Sequence, residues 1–481
     1  MNFRIIKRTV GWLLLFEACF LLVPVLTGLI YQETQVKEFL VCMGICAGLG
    51  GLLVLGKIKN TEIYAKEGFV IVALSWIVLS AFGALPFFLS GDIPSYLDAL
   101  FETASGFTTT GSSILSGEQI EALPKCMLMW RSFTHWVGGM GVLVFILAFL
   151  PLSGGRNINI MKAESPGPIV SKLVPKVRAT AGILYLIYAV MTVLEFVFLV
   201  FDMPVFDAIT TAFATAGTGG FAIRGDSLAS YSSYSQVVVT VFMLLFSINF
   251  GSYYFILCGK VKDALNLEVR TFLWIVFSAI VLITLNLCLT DTMGYSVGEA
   301  IKHSAFSVAA VVSTTGFATA DFDLWHSFAK TVLVLLMFVG ACAGSTGGGF
   351  KVSRVVVLYK GMTHEMKRML HPKQVKKITI DGKIVEHEVV RSISWYLIAY
   401  MLLFIVSMLL ISFDGVDMTT NFTAVLATLN NIGPGLGKVG PSGNFAFFSA
   451  FSKIVFIFDM LAGRLEIFPM LLLFAPTTWK K

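Results

Sequence analysis

Apolar residues come along this chain in runs of about twenty, divided by short polar or glycine-bearing stretches. About 20 apolar residues carry a helix across a bilayer. The runs 9–31, 37–57, 68–90, 126–150, 180–201, 235–259, 271–290, 328–359, 391–413 and 448–475 are expected to do so. Four other segments, 95–109, 204–217, 297–314 and 418–431, are helix-like but too short or too polar to span. Such segments at membrane depth are tolerated only where protein buries them or water fills a cavity beside them. The expected organisation is therefore a helix pair, 1–60, followed by four units of helix, short helix, loop and helix. These units are 61–155, 156–262, 263–375 and 376–481.

Each short segment runs into a glycine with Ser, Thr or Asn beside it. The four versions are Thr108-Thr109-Thr110-Gly111-Ser112, Thr215-Ala216-Gly217-Thr218-Gly219-Gly220-Phe221, Ser313-Thr314-Thr315-Gly316-Phe317 and Asn430-Asn431-Ile432-Gly433-Pro434. They recur about every hundred residues. A partly dehydrated alkali cation needs several oxygens in place of its water, and backbone carbonyls supply them where glycine frees the chain. Thr110 and Gly111, Thr218 with Gly219 and Gly220, Thr315 and Gly316, and Asn431 with Ile432 and Gly433 are the candidate ligands, through their carbonyls. No Asp or Glu stands at the loop centres, which favours a monovalent ion. The plainer alternative is four glycine C-caps at interfacial helix ends.

Of the 481 residues 56% are hydrophobic and 13% charged, and the mean hydropathy is +0.83. Soluble domains carry about 25% charged residues, so the chain is expected to be a polytopic all-α membrane protein. The net charge of +6 is gathered into alternate loops, not into a nucleic-acid-binding tract. Arg4, Lys7 and Arg8, then Lys57, Lys59 and Lys66, then Arg156 to Arg178, Lys260 to Arg270, Lys351 to Arg391 and the Lys480-Lys481 tail fall on one side. Positive-inside reasoning makes that side, with both termini, cytoplasmic. The loops then lie outside among acids such as Asp92, Glu102, Asp207, Asp321 and Asp417, an expected acidic vestibule for cations. Seven cysteines without CxxC spacing support neither a disulfide framework nor a zinc site. Six scattered histidines give no enzyme's catalytic set.

Gly340, Gly344, Gly347, Gly348 and Gly349 interrupt the run 328–359, each costing roughly 1 kcal/mol against alanine in a helix. The segment Gly344-Ser345-Thr346-Gly347-Gly348-Gly349 is the candidate gate. A Walker phosphate loop is excluded, because no Gly-Lys-Ser/Thr follows; close helix packing through small residues is the alternative. Arg464, in the last run, should face a cavity or pair with Glu466, Asp459 or another carboxylate. Asp459 and Lys453 are expected at the interface, Glu17 and Glu195 in satisfied polar packing, and Arg131 with His135 as interfacial anchors at i, i+4. Asp381-Gly382 suggests a hairpin turn in the hydrophilic stretch 351–391, a solvated loop or a docking surface.

The four loops, the segment Gly340 to Lys351, Trp136-Val137-Gly138-Gly139-Met140-Gly141 and Gly463-Arg464-Leu465-Glu466 together resemble the Trk/Ktr/HKT superfamily of potassium transporters, in particular its TrkH/TrkG-type membrane subunits. The resemblance covers essentially the whole chain. It implies four pseudo-equivalent helix–pore-loop–helix units around one pore, K+ as the transported ion with no organic cofactor, and a homodimer in the bacterial cytoplasmic (inner) membrane. It also implies a TrkA-like cytosolic subunit that binds nucleotides on its own domains. Gly111, Gly316 and Gly433 fall on the family's filter glycines; in the second loop Gly219 and Gly220 compete, with Gly220 favoured by the Phe221 that follows. Gly111, where sodium-transporting plant members have serine, favours potassium. Arg464 matches an arginine that projects toward the pore below the filter. A gated channel, coupling to H+ or Na+, and a Na+-permeable variant all remain open to the sequence.

Overall fold

Where no polar residue interrupts an apolar run, the run is one long helix. In the computed structural model, which describes residues 1–55, 64–141, 177–290, 293–372 and 377–479, six helical stretches are long and apolar enough to cross a membrane. They are Phe3–Tyr31, Val36–Val54, Lys66–Ser90, Ala179–Val200, Leu267–Thr290 and His387–Asp414. Leu186, Val190, Val193 and Val197 line one exposed face of Ala179–Val200, an apolar stripe suited to lipid. The first two of these stretches meet at Gly11 and Gly50, where a Cβ on either would strike the other's carbonyl oxygen at 2.9 or 2.8 Å. Small residues at such a contact let helices approach by backbone.

Three expected spans are broken. The run 235–259 divides into Ser233–Phe246 and Phe250–Leu257, set at 90°. The Asn249 side chain accepts from Gly251 N at 2.7 Å and caps the second piece. The run 328–359 holds a helix only over Ser327–Val339 and again over Val352–Leu370. The last run stops at Arg464 and restarts over Phe468–Phe474, after Glu466 and Ile467 turn at φ 58° and 65°; Pro469 suits the first turn of the new helix. Of the run 126–150, the helix Lys125–Gly139 ends before Gly141, and 142–150 lie outside the described residues. So do the expected unit boundaries near 60, 155 and 375, and Lys57, Lys59, Arg156, Lys162, Lys172 and Lys176.

Four short helices, Tyr96–Phe107, Val205–Gly217, Val297–Val312 and Met418–Leu429, have 12, 13, 16 and 12 residues. At 1.5 Å per residue they extend about 18–24 Å, short of a bilayer core. Side chains of Ser95, Ser296 and Asp417 cap three of them, and Ser296 forms a full capping box with Glu299. The hydrophilic stretch is not all loop: it begins with the helix Val352–Leu370. Thr379–Ile380 then pairs antiparallel with Lys383–Ile384. Asp381 and Gly382 turn that hairpin at φ 47° and 76°, as a two-residue hairpin requires, and the Asp381 carboxylate accepts from Leu267 N at 3.0 Å.

Candidate functional site

The ends of the four short helices have one backbone conformation. Thr109, Thr218, Thr314 and Asn431 are left-handed, at φ 56°, 55°, 60° and 55°. The next residue in each loop, Thr110, Gly219, Thr315 or Ile432, donates its N–H to the carbonyl five residues back, at 2.9 Å in all four. This is a Schellman-type ending whose left-handed residue is threonine or asparagine. The glycine two positions later is therefore not the helix cap. It makes a second left-handed turn of its own, at φ 81° for Gly111, 77° for Gly220, 81° for Gly316 and 97° for Gly433. By this equivalence Gly220, not Gly219, is the second loop's counterpart of Gly111. A β-branched residue in the left-handed region costs about 1–2 kcal/mol, and strain of this kind persists only where the surroundings fix it.

Those surroundings form a closed circle. A Cβ on Gly111 would collide with the carbonyl oxygen of Gly219, on Gly220 with that of Thr315, on Gly316 with that of Ile432, and on Gly433 with that of Thr110. Each glycine thus leans on the carbonyl that precedes the glycine of the next loop. Ser112 Oγ adds a bond of 3.1 Å to Gly433 O, and Asn431 Nδ2 donates to Thr110 Oγ1 at 2.9 Å, both joining the fourth loop to the first. Four helix C-termini end at this ring, bringing the negative ends of four macrodipoles to it. A cavity of about 140 Å³ adjoins it, lined by Gly111, Gly220, Gly316, Gly433 and Ser112 among others.

Against the third and fourth loops lies the glycine-rich break. Gly348 N donates to Thr314 Oγ1 at 2.7 Å. A Cβ on Gly347 would meet Ser313 O at 2.8 Å, and one on Gly348 would meet Asn430 O at 2.6 Å. The break also bonds to the other broken helix: Cys342 N to Ser247 O at 3.1 Å, Phe250 N to Gly344 O at 3.0 Å and Thr346 Oγ1 to Phe246 O at 3.1 Å. Charged groups bracket it. Glu268 accepts from Ala343 N at 2.6 Å, the Lys351 ammonium contacts Gly347 O, and Arg464 donates to Thr346 O at 2.9 Å. Arg464 also donates to Gly138 O at 2.5 Å and Gly139 O at 2.6 Å, so it ties the break to the first unit. Ser345 Oγ donates to Cys342 O at 2.7 Å within the break.

The family model for TrkH, described as a cation transport protein, matches residues 36–481. This chain belongs to the TrkH family. It is 37% identical over its whole length, and that of its relative, to "Trk system potassium uptake protein TrkH" of Escherichia coli K12. The corresponding figure is 30%, over 99% of both chains, for "Trk system potassium uptake protein TrkG" of the same strain. Its structure is similar to the crystal structure of the potassium transporter TrkH from Vibrio parahaemolyticus, at a TM-score of 0.89, 34% identity and full coverage of both chains. The chain is accordingly a multi-pass, all-α membrane transport protein and not an enzyme.

In this TrkH-family chain several charged residues sit elsewhere than expected. Arg131 and His135 are not interfacial anchors, being 2% and 0% exposed. Arg131 pairs with Glu102 at 2.8 Å and donates to Ala222 O at 3.1 Å, bridging the first unit to the residue after Phe221. Glu102 in turn accepts from Ser113 Oγ and Ile114 N at 3.0 and 3.1 Å, which fixes the chain beyond Gly111. Asp459 is not interfacial either; it is buried and accepts from Ser407 Oγ at 2.7 Å. Lys453 is buried in an ion pair of 2.6 Å with Asp98. Arg464 does not take Glu466, which pairs with Arg354 instead. Glu17 and Glu195 are both fully buried without a hydrogen bond among the described residues, contrary to satisfied polar packing.

The expected acidic vestibule is also altered. The cavity beside the ring is lined by Arg131 and Arg224 and, among the described residues, by no carboxylate. Several outer acids are already engaged: Asp207 faces Arg224 at 3.5 Å, Asp323 faces Lys330 at 3.9 Å, and Asp202 accepts from Ser232 and Ser235. Those two serine hydroxyls hold the Asp202 carboxyl below the usual carboxylate range. The i, i+4 spacing of Arg131 and His135 was visible in the sequence, but their partners, Glu102, Ala222, Gly106 and Phe221, lie 29 to 91 positions away.

Proposed function

We propose that the chain takes up potassium through a central pore whose selectivity filter is the ring of carbonyls from Thr110, Gly219, Thr315 and Ile432, with those of neighbouring Gly111, Thr218, Gly220, Gly316, Asn431 and Gly433. The observation that carries this reading is the closed circle of glycine-to-carbonyl contacts: four loops from four separate units converge with one backbone geometry. Carbonyl dipoles replace a cation's hydration without fixing a charge in the path, so the ion binds and leaves. The helix C-termini behind them favour positive charge. The relatives named above carry potassium uptake in their names.

Gly344 to Gly349 act as the gate, held shut by Arg464, and a TrkA-like cytosolic nucleotide-binding subunit acts on that gate in a homodimeric inner-membrane assembly with both termini cytoplasmic. The bonds from Gly348 to the third loop and from Thr346 to Arg464 support this reading, since one loop touches both the filter and the pinning cation. The test is K+ flux through purified protein in liposomes with the membrane potential clamped at zero. Flux that follows the K+ gradient alone supports a gated pore; uphill K+ movement driven by an imposed proton or sodium gradient contradicts it in favour of symport.

A further inference from the structure

The second loop departs from its three counterparts at the residue before the filter glycine. Thr110, Thr315 and Ile432 hold side chains there, whereas the second loop has Gly219. Gly219 is not among the residues of positive φ, so its backbone does not demand glycine. A side chain is excluded by His135, because a Cβ on Gly219 would collide with its imidazole at Nδ1 and Cγ. The imidazole thus fills the place of a side chain that the other loops provide for themselves, and it comes from a different unit.

It is also bonded at both nitrogens. Nε2 accepts from Phe221 N at 3.2 Å, so the proton is on Nδ1, which donates to Gly106 O at 2.7 Å. The ring packs against Phe221 at a centroid distance of 4.3 Å. Gly106 belongs to the first short helix and Phe221 follows Gly220 directly, so one buried side chain spans the first two loops on either side of the second filter glycine.

We infer that His135 is a positioning residue for ion selectivity: through Gly219 and Phe221 it sets where the second loop's carbonyls stand in the ring. This rests on the filter reading above. The experiment compares K+/Na+ flux ratios in liposomes for the unaltered protein, His135→Leu, His135→Gln and Gly316→Ala, each first passed through size-exclusion chromatography. His135→Leu loses both bonds and should lower the ratio roughly tenfold. In His135→Gln the amide offers an acceptor to Phe221 and a donor to Gly106, so the ratio should stay within about threefold of the unaltered value. A purely structural histidine would change the yield of folded protein and leave the ratio alone. If Gly316→Ala lowers the ratio and His135→Leu does not, the inference fails while the filter stands. If neither changes it, the filter reading fails and takes the inference with it. A glutamine variant as unselective as the leucine one overturns the hydrogen-bond account. Should His135→Leu not fold, His135→Asn, too short to reach both partners, replaces it with the same outcomes.

Discussion

Arg464 offers the sharpest perturbation of the proposed gate. Its guanidinium spreads over three carbonyls, two of them, Gly138 and Gly139, on the first unit and one, Thr346, on the glycine-rich break. Of these three, the bond to Thr346 at 2.9 Å is the one that holds the break, and a hydrogen bond from a charged donor contributes about 1.5–3 kcal/mol. Losing it from a two-state gate shifts the open-to-closed ratio by roughly 10- to 150-fold. Arg464→Ala should therefore raise passive K+ flux into liposomes by about that factor, up to the ceiling set by the open pore. Arg464→Lys separates pinning from charge. It keeps the positive charge but lacks the planar fork that reaches both partners, so it should raise flux by an intermediate amount. Flux equal to the unaltered protein in Arg464→Lys would mean that charge alone sets the barrier. Unaltered or lower flux in folded Arg464→Ala would refute the pin.

Three further expectations follow from the same geometry. Gly111→Ser places a side chain at φ 81° against the Gly219 carbonyl; the K+/Na+ flux ratio should fall, and an unchanged ratio would remove the first loop from the filter. Glu102→Ala leaves Arg131 buried without its partner, and breaking a buried pair costs roughly 3–5 kcal/mol; thermal unfolding in detergent should show it, and a loss below about 1 kcal/mol would contradict the bracing role. Asp417 caps the fourth short helix through Thr420, whose backbone N–H and hydroxyl hold its carboxyl below the usual range. Because the folded pKa is depressed, its contribution is full above the ordinary Asp value near 3.9 and fades as pH falls through the lower folded value. The difference in melting temperature between the unaltered protein and Asp417→Ala, worth roughly 1 kcal/mol at neutral pH, should shrink in strong acid; a pH-independent difference would deny the charge a part.

The fourfold plan was legible because it is written in local signals: a short helix, a Ser/Thr/Asn end and a glycine, each at a similar spacing. The distinction between the helix cap and the ring glycine two positions later was not. It depends on Thr109, Thr218, Thr314 and Asn431 taking the left-handed cap, which threonine does not advertise. Breaks at Ser247-Ile248-Asn249 and at Glu466-Ile467 escaped the hydropathy pattern because apolar residues flank both, although Asn249 was a cap signal in plain view. The partners of Arg131, His135, Asp459 and Arg464 lie between 29 and 326 positions away in sequence, and those of His135 at Phe221 and of Arg464 at Gly138 belong to other units. No window along one chain displays such pairings; only packing of the units selects Thr346, Gly138 and Gly139 over Glu466 as the partners of Arg464.

The account stands or falls on where a permeant cation rests. Crystals of the protein grown with thallium or rubidium in place of potassium should give anomalous density on the axis of the ring, within ligand distance of the carbonyls of Thr110, Gly219, Thr315 and Ile432. Anomalous density confined to other parts of the molecule, with none inside that ring at saturating ion, would contradict it.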